Sequence, residues 1–162
     1  MEEPPLRIWV DADAAPVDVK DIVARAALRL ELPTMLVANQ RLQTPANNPF
    51  VTAVRVAGGP DVADDHIAEH AATGDLAITA DIPLAARLVE KGVVTLDPRG
   101  EEYTRENIGE RLSIRDFMDG LRSTGVETGG PSAYGQKDKQ AFAGAFDRAL
   151  TRALRKRRRP AD

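Results

Sequence analysis

Short apolar runs alternate along the chain with longer segments in which apolar residues recur every three or four positions. The short runs are bounded by Pro, Gly, Asp or Asn, which is typical of buried β-strands. The longer segments predict amphipathic helices. The predicted strands are 6–10, 34–38, 51–56, 76–79 and 93–96, and the predicted helices are 16–32, 60–72, 81–91, 104–121 (one or two helices) and 137–157.

Strands that alternate with helices are typical of a parallel sheet with helices on both faces. We therefore predict an α/β fold, a three-layer α/β/α sandwich with a mainly parallel five-stranded sheet and a C-terminal helical appendage. The 162 residues suffice for about one domain. We assign 1–150 to that domain and 151–162 to a basic, disordered C-terminal tail.

The composition narrows the possible chemistry. The absence of Cys excludes disulfides, thiolate metal sites and cysteine nucleophiles. The chain has only two His, which argues against a metal site built from several histidines. Aromatic residues make up 4% of the chain, too few for a surface that stacks many bases. The N-terminus lacks the features of a signal peptide, and no apolar stretch is long enough to span a bilayer, so we expect a cytoplasmic protein with no membrane contact.

Charge is distributed unevenly. The chain holds 25 acidic and 22 basic residues, for a formal net charge of -3. Seven of the basic residues and one acidic residue lie between Arg148 and Asp162, so the rest of the chain is strongly acidic. Such a tail is able to bind phosphates without sequence preference, although a solvated charge run is an equally good interpretation.

Aspartates follow three of the predicted strands. Asp11 and Asp13 come directly after the first strand, Asp81 comes shortly after the fourth, and Asp61 and Asp64 begin the helix after the third. In a doubly wound sheet these positions share the carboxyl edge, where such folds bind ligands. Carboxylates without His or Cys select Mg²⁺ or Mn²⁺, and a pair of such ions supports phosphodiester hydrolysis. Helix capping is the alternative role for the aspartates at helix starts, but it does not explain both residues of the Asp-Ala-Asp segment.

Four further residues are candidates for substrate binding. Asn39 lies at the exit of the second strand, Thr79 precedes Asp81, and Arg99 follows the fifth strand. Lys137 follows a Gly-rich connection whose backbone N–H groups are able to bind an anion. The alternatives are a turn residue for Asn39, a polar strand end for Thr79 and exposed surface positions for the two cations.

The segment 9–16 (WVDADAAP) resembles the opening motif of the YaiI/YqxD family, also called UPF0178. Ala15 departs from that motif, because many members are expected to have Cys there, and this argues against a thiol-based role. The similarity extends in order from about residue 7 to about residue 146. The other similar segments are 37–40, 59–65, 74–86, 98–100, 114–119 and 128–131.

The family is grouped with PIN-like and NYN-like domains, many of which are metal-dependent ribonucleases. The resemblance implies a PIN-like sandwich with the strand order 3-2-1-4-5. The acidic positions of such domains then correspond to Asp11, Asp61 or Asp64, and Asp81, with Asp13 nearby. The family name carries no established activity, so a nuclease function is an inference through the fold.

These observations together predict a Mg²⁺- or Mn²⁺-dependent phosphodiesterase that acts on RNA. The predicted catalytic residues are Asp11, Asp13 and Asp81, and the predicted metal ligands are Asp11, Asp13, Asp61, Asp64 and Asp81. One alternative is a haloacid-dehalogenase-like phosphohydrolase, because Asp11-x-Asp13 is similar to the nucleophile motif of that class. Another is a non-catalytic RNA-binding module that uses the basic tail.

Overall fold

A computed structural model describes residues 5–130 and 132–158 of the chain. Within these residues, six strands form one sheet in the order β3-β2-β1-β4-β5-β6. The first five strands are parallel, and β6 pairs antiparallel with β5. The strands are β1 (Ile8–Asp11), β2 (Thr34–Ala38), β3 (Val51–Arg55), β4 (Leu76–Ile78), β5 (Val94–Leu96) and β6 (Glu102–Tyr103).

Helices cover both faces of this sheet. Successive side chains of β1 point to opposite faces, so Ile8 and Val10 pack with residues of α1 and α5, whereas Trp9 packs with residues of α2 and α3. This confirms the predicted α/β/α sandwich. The helices are α1 (Val17–Leu30), α2 (Val62–His70), α3 (Ile82–Lys91), α4 (Ile108–Ser123) and α5 (Gln136–Arg158).

The strand order reverses beside β1. The chain adds β2 and β3 on one side of β1 and then crosses to add β4 and β5 on the other side. Val10 pairs with Ile78 across β1 and β4, so Asp11 and Thr79, the next residues in each strand direction, lie side by side at the carboxyl edge. A crevice at such a reversal is the usual ligand site of an open α/β sheet.

Helix α5 runs antiparallel to the five parallel strands. Near its start, the Tyr134 hydroxyl donates to the carbonyl of Pro98, just beyond β5, at 2.9 Å. Near its end, the Arg157 guanidinium lies 3.6 Å from the carboxylate of Asp75, just before β4. The helix therefore extends from the carboxyl edge of the sheet to its amino edge.

The structure corrects the predicted tail. Helix α5 continues to Arg158, so residues 151–158 are helical and not disordered. Its buried apolar residues Phe142, Phe146 and Leu150 recur at three- and four-residue spacing and hold it against the core. Residues 159–162 of the predicted tail, and Pro131 of one family-like segment, lie outside the described residues.

None of the helices in the described ranges combines the length and hydropathy that a membrane span requires.

Candidate active site at the carboxyl edge

Asp11 ends the central strand β1 and is almost fully buried, with 9% of its surface exposed. Its Oδ2 accepts a hydrogen bond of 2.9 Å from the Thr79 hydroxyl. Burial raises the pKa of Asp11, the Thr79 bond lowers it, and the charges of Asp81 and Asp13 raise it further, for a net rise. The surroundings of Asp11 therefore make its ionised form less favourable than that of an exposed carboxyl group, and a nearby cation would offset this effect.

Asp81 starts helix α3 and faces the same crevice. Its Oδ1 accepts a hydrogen bond of 2.8 Å from the backbone N–H of Leu84, which makes it the N-cap of the helix. Its own backbone N–H donates to the Thr79 hydroxyl at 3.0 Å. Capping is thus one role of Asp81, and the Thr79 side chain links it to Asp11.

Asp64 lies in the first turn of α2 and lines the same cavity as Asp81. Burial raises the pKa of Asp64 to about 6, and the nearby charges of Asp81, Asp11 and Asp61 raise it as well. Neighbouring carboxyl groups favour a bound proton or a nearby cation, because either one reduces their mutual repulsion. Near neutral pH this pair is therefore a place where positive charge is favoured.

Asp61 and Asp13 lie at the rim of the crevice. Asp61 precedes α2 in a left-handed conformation with φ 63°, and within the described structure its side chain makes no capping hydrogen bond. The exposed Asp13 accepts from the backbone N–H of Asn39 at 2.8 Å and from the Gln40 amide at 3.3 Å. Asp13 therefore anchors the loop after β2, while its charge still acts on Asp11.

A cavity of about 240 Å³ opens beside Asp64 and Asp81. Besides carboxylates it is lined by two guanidinium groups, Arg87 of α3 and Arg115 of α4. Arg87 lies 2.7 Å from Asp65, and both side chains are about half exposed. The two arginines were absent from the predicted site, because neither one lies at a strand end and the sequence pattern marks them only as polar helix positions.

The donor set of this crevice fits a hard divalent cation in its chemistry. All of its ligating atoms are carboxylate or hydroxyl oxygens, which Mg²⁺ and Mn²⁺ prefer. Within the described residues, however, no three His, Cys, Asp or Glu side chains are grouped so that they could hold a metal ion. The crevice therefore offers a pair, Asp64 and Asp81, with Asp11 nearby, and not a complete coordination group.

The predicted substrate-binding residues have different surroundings. Thr79 is 2% exposed; its hydroxyl donates to the Asp11 carboxylate and accepts from the backbone N–H of Asp81. Arg99 is engaged with Asp138 at 3.1 Å and with the Ser132 carbonyl, so it holds the segment before α5 against the sheet. Asn39 and Lys137 are exposed. The structure thus brings Asp11, Asp64, Asp81 and Thr79 together and leaves Arg99 and Lys137 in a separate region at the start of α5.

A further acidic residue, Asp75, escaped the sequence-based prediction. It precedes β4 at the amino edge of the sheet, opposite the crevice, and is 1% exposed. Its carboxylate accepts from the backbone N–H of Arg7 and from Trp9 Nε1, each at 3.1 Å, and from the N–H of Ala72 at 2.9 Å. The only signal in the sequence was its place in one of the family-like segments.

Comparison with known proteins identifies the family. The profile of the uncharacterised YaiI/YqxD family matches residues 9–152. A UPF0178 protein of Myxococcus xanthus is 57% identical over 150 residues, which cover 93% of this chain and 97% of the relative. One from Citrifermentans bemidjiense is 58% identical over 153 residues, which cover 94% and 99%. One from Bordetella petrii is 55% identical over 150 residues, which cover 93% and 99%.

No solved structure matches the chain significantly. The family match covers most of the chain and includes every residue of the crevice, and the relatives align over nearly their whole length. The chain therefore belongs to the YaiI/YqxD (UPF0178) family.

Proposed function

We propose that this protein is a Mg²⁺- or Mn²⁺-dependent phosphodiesterase that cleaves RNA. The observation that carries the proposal is the convergence of Asp11, Asp64 and Asp81, from three separate segments, on the crevice where the strand order reverses. Like charges placed so close to one another oppose ionisation unless a cation neutralises them. Asp13 and Asp61 add negative charge at the rim.

Asp64 and Asp81 would hold the cation, and Asp11, Asp61 and Asp13 would orient its water ligands. When bound, such an ion supplies an activated water and neutralises the charge that develops on the phosphodiester oxygens. The Thr79 hydroxyl keeps the Asp11 carboxylate in a fixed orientation. Arg87 and Arg115, in the same cavity, supply guanidinium groups that suit the phosphate oxygens of a substrate.

The resemblance to PIN-like domains supports the same proposal by analogy. Such domains place their strands in the order 3-2-1-4-5 and their acids at the carboxyl edge, and this chain has both features. RNA as the substrate rests on this analogy, because likeness of fold alone does not assign an activity.

The test is incubation of the purified protein with single-stranded RNA and single-stranded DNA in the presence of Mn²⁺. The wild type is expected to cleave RNA, and EDTA, Asp11→Asn or Asp81→Asn is expected to abolish cleavage. Asp21→Asn, an exposed aspartate on α1, is the matched control and retains activity. Equal cleavage by the wild type and Asp11→Asn, or none of either substrate by any variant, contradicts the proposal. Release of phosphate from a monoester in place of RNA cleavage would favour the haloacid-dehalogenase-like alternative.

A further inference from the structure

The C-terminal half of α5 carries a basic surface far from the acidic crevice. Arg148, Arg152, Arg155 and Lys156 are all exposed and recur at the spacing of one helix face. The sequence contains no acidic residue from 148 to 158. We call these four side chains the basic surface of α5.

Most of this positive charge is not neutralised. Among the described residues, no ion pair involves Arg148, Arg155 or Lys156, whereas Arg152 lies 2.6 Å from Glu102 of β6. A recess of about 640 Å³ lies along the four basic residues, with Asp147 and Thr151 completing its lining. The surface is therefore concave and predominantly positive.

Helix α1 extends the basic surface on one side. Arg25 and Arg29 are exposed one turn apart on α1 and line a groove of about 250 Å³ between α1 and α5. Asp147 lines both this groove and the recess of the basic surface, so the two are contiguous. Six cations from two packed helices thus share one face of the molecule.

The chemistry of this face favours a nucleic-acid backbone over a membrane. A membrane-surface helix must offer an apolar face to the lipid, and the apolar face of α5 is already used, because Phe142, Phe146 and Leu150 are buried in the core. Arg148 and Arg155 are separated by about 10 Å along the helix axis. Cations repeated over such a distance are suited to several phosphates of one strand and not to a single small anion.

We propose that the basic surface of α5, together with Arg25 and Arg29, binds the phosphate backbone of RNA at a second site, outside the acidic crevice. Helix α5 starts near Pro98 at the carboxyl edge and ends near Asp75 at the amino edge. The basic residues lie in its C-terminal half, so this second site is directed towards the amino edge and away from the crevice. The negatively charged crevice repels an RNA strand, whereas the positive charge of this second site attracts it. The inference rests on the proposed function only for the choice of RNA, and binding here requires neither cleavage nor a divalent cation.

The experiment measures binding of a fluorescein-labelled single-stranded RNA of about 16 nucleotides by anisotropy, in EDTA so that no cleavage occurs. The variant is Arg148→Glu with Arg155→Glu. The control, Arg55→Glu with Arg105→Glu, makes the same charge change at two exposed arginines elsewhere. Circular dichroism checks the fold, and Arg148→Gln with Arg155→Gln serves if the first variant does not fold.

We expect the α5 variant to weaken binding by about tenfold and to lower the slope of log affinity against log salt by about 1–2, because two phosphate contacts are lost. The control is expected to change affinity far less. Equal losses in both variants, no loss in the α5 variant, or wild-type binding to phosphatidylserine vesicles without binding to RNA would each overturn the inference. Because anisotropy in EDTA reports binding without cleavage, failure of the proposed cleavage and failure of this site are distinguishable.

Discussion

The two edges of the sheet each carry buried aspartate, with opposite surroundings. Asp75 at the amino edge is 1% exposed, more buried than Asp11 at the carboxyl edge. Yet donors surround Asp75: three N–H groups, the Arg7 guanidinium at 3.2 Å and the Arg157 guanidinium at 3.6 Å. Its negative charge is compensated within the fold, which makes it a structural carboxylate.

Within the part of the chain that the structure describes, no such ion pair compensates Asp11 or Asp64 at the carboxyl edge. Among the described residues, the hydrogen-bond donor to Asp11 is the neutral hydroxyl of Thr79, and Asp64 faces another carboxyl group, that of Asp81. Burial by itself therefore does not mark a reactive carboxylate. Asp11 and Asp64 differ from Asp75 because their negative charge would be neutralised by a bound cation and not by an ion pair within the fold.

The largest expected effect is at the compensated edge. Asp75→Ala leaves the Trp9 indole N–H, two backbone N–H groups and the guanidinium groups without their buried acceptor. We expect the free energy of unfolding to fall by about 3–5 kcal/mol, as measured by urea denaturation. Asp21→Ala, in an exposed position, should change it by less than about 0.5 kcal/mol. A loss below about 1 kcal/mol for Asp75→Ala would show that the Asp75 contacts do not stabilise the fold.

The second effect concerns cations at the uncompensated edge. At a Mn²⁺ concentration about 100 times the dissociation constant, the wild type should gain about 2.7 kcal/mol of stability, since the ion binds only the folded state. Asp81→Asn should abolish most of this gain and Asp21→Asn should retain it. The measurement is urea denaturation with and without Mn²⁺, and an equal gain in all three proteins would place the ion elsewhere.

Loss of the Thr79 hydroxyl, which connects Asp11 to the backbone of Asp81, has a smaller expected effect. Thr79→Val removes the hydroxyl that donates to Asp11 and accepts from the backbone N–H of Asp81, in a site that is 2% exposed. Loss of both bonds should destabilise the protein by about 1–3 kcal/mol. The pKa of Asp11 should rise further, because the Thr79 bond lowers it in the wild type. Thr79→Ser, which keeps the hydroxyl, is the control and should retain most of the stability and the wild-type pKa of Asp11; if the pKa of Asp11 rises equally in both variants, the Thr79 hydrogen bond is not its cause.

The smallest effect is a pH dependence. The pKa of Asp64 in the folded protein, about 6, lies above its ordinary value of 3.8, so protonation favours the folded state. In EDTA, this carboxyl group should destabilise the fold above about pH 6, and that penalty should disappear as the pH falls towards 4.

Asp64→Asn removes the penalty and should stabilise the protein at pH 7.5 by about 1 kcal/mol or less, because solvent screens this half-buried group. At pH 4.5 the two proteins should be nearly equally stable in urea. A difference between them that does not depend on pH would mean that Asp64 does not titrate in this range.

The sequence predicts the fold well where apolar patterns are strong. The five parallel strands carry continuous apolar runs, and all five are confirmed, with only their ends shifted. Strand β6 was missed because two residues, Glu102 and Tyr103, are too few to form a recognisable pattern. The apolar spacing predicted a helix over 137–157, but 151–158 was also assigned to a disordered tail, because a run of basic residues conceals the apolar side of α5, where Ala153 is buried.

The site was predictable in its location but not in its internal contacts. Strand ends and parallel topology suffice to place Asp11 and Asp81 at one edge, because neighbouring parallel strands end together. The partners of a side chain, in contrast, depend on tertiary packing. Arg99 is therefore held by Asp138, and Asp75, which was absent from the predicted site, is buried and accepts several hydrogen bonds.

The most direct test of the uncompensated edge is calorimetric titration of Mn²⁺ into the wild type and Asp64→Asn. We predict saturable binding to the wild type at pH 7.5 and binding weaker by about tenfold at pH 5, because a proton with a pKa of about 6 competes with the ion. Asp64→Asn should bind weakly at both pH values. Binding that is absent from the wild type, or equal in the two proteins and independent of pH, would contradict a divalent-cation site at the carboxyl edge.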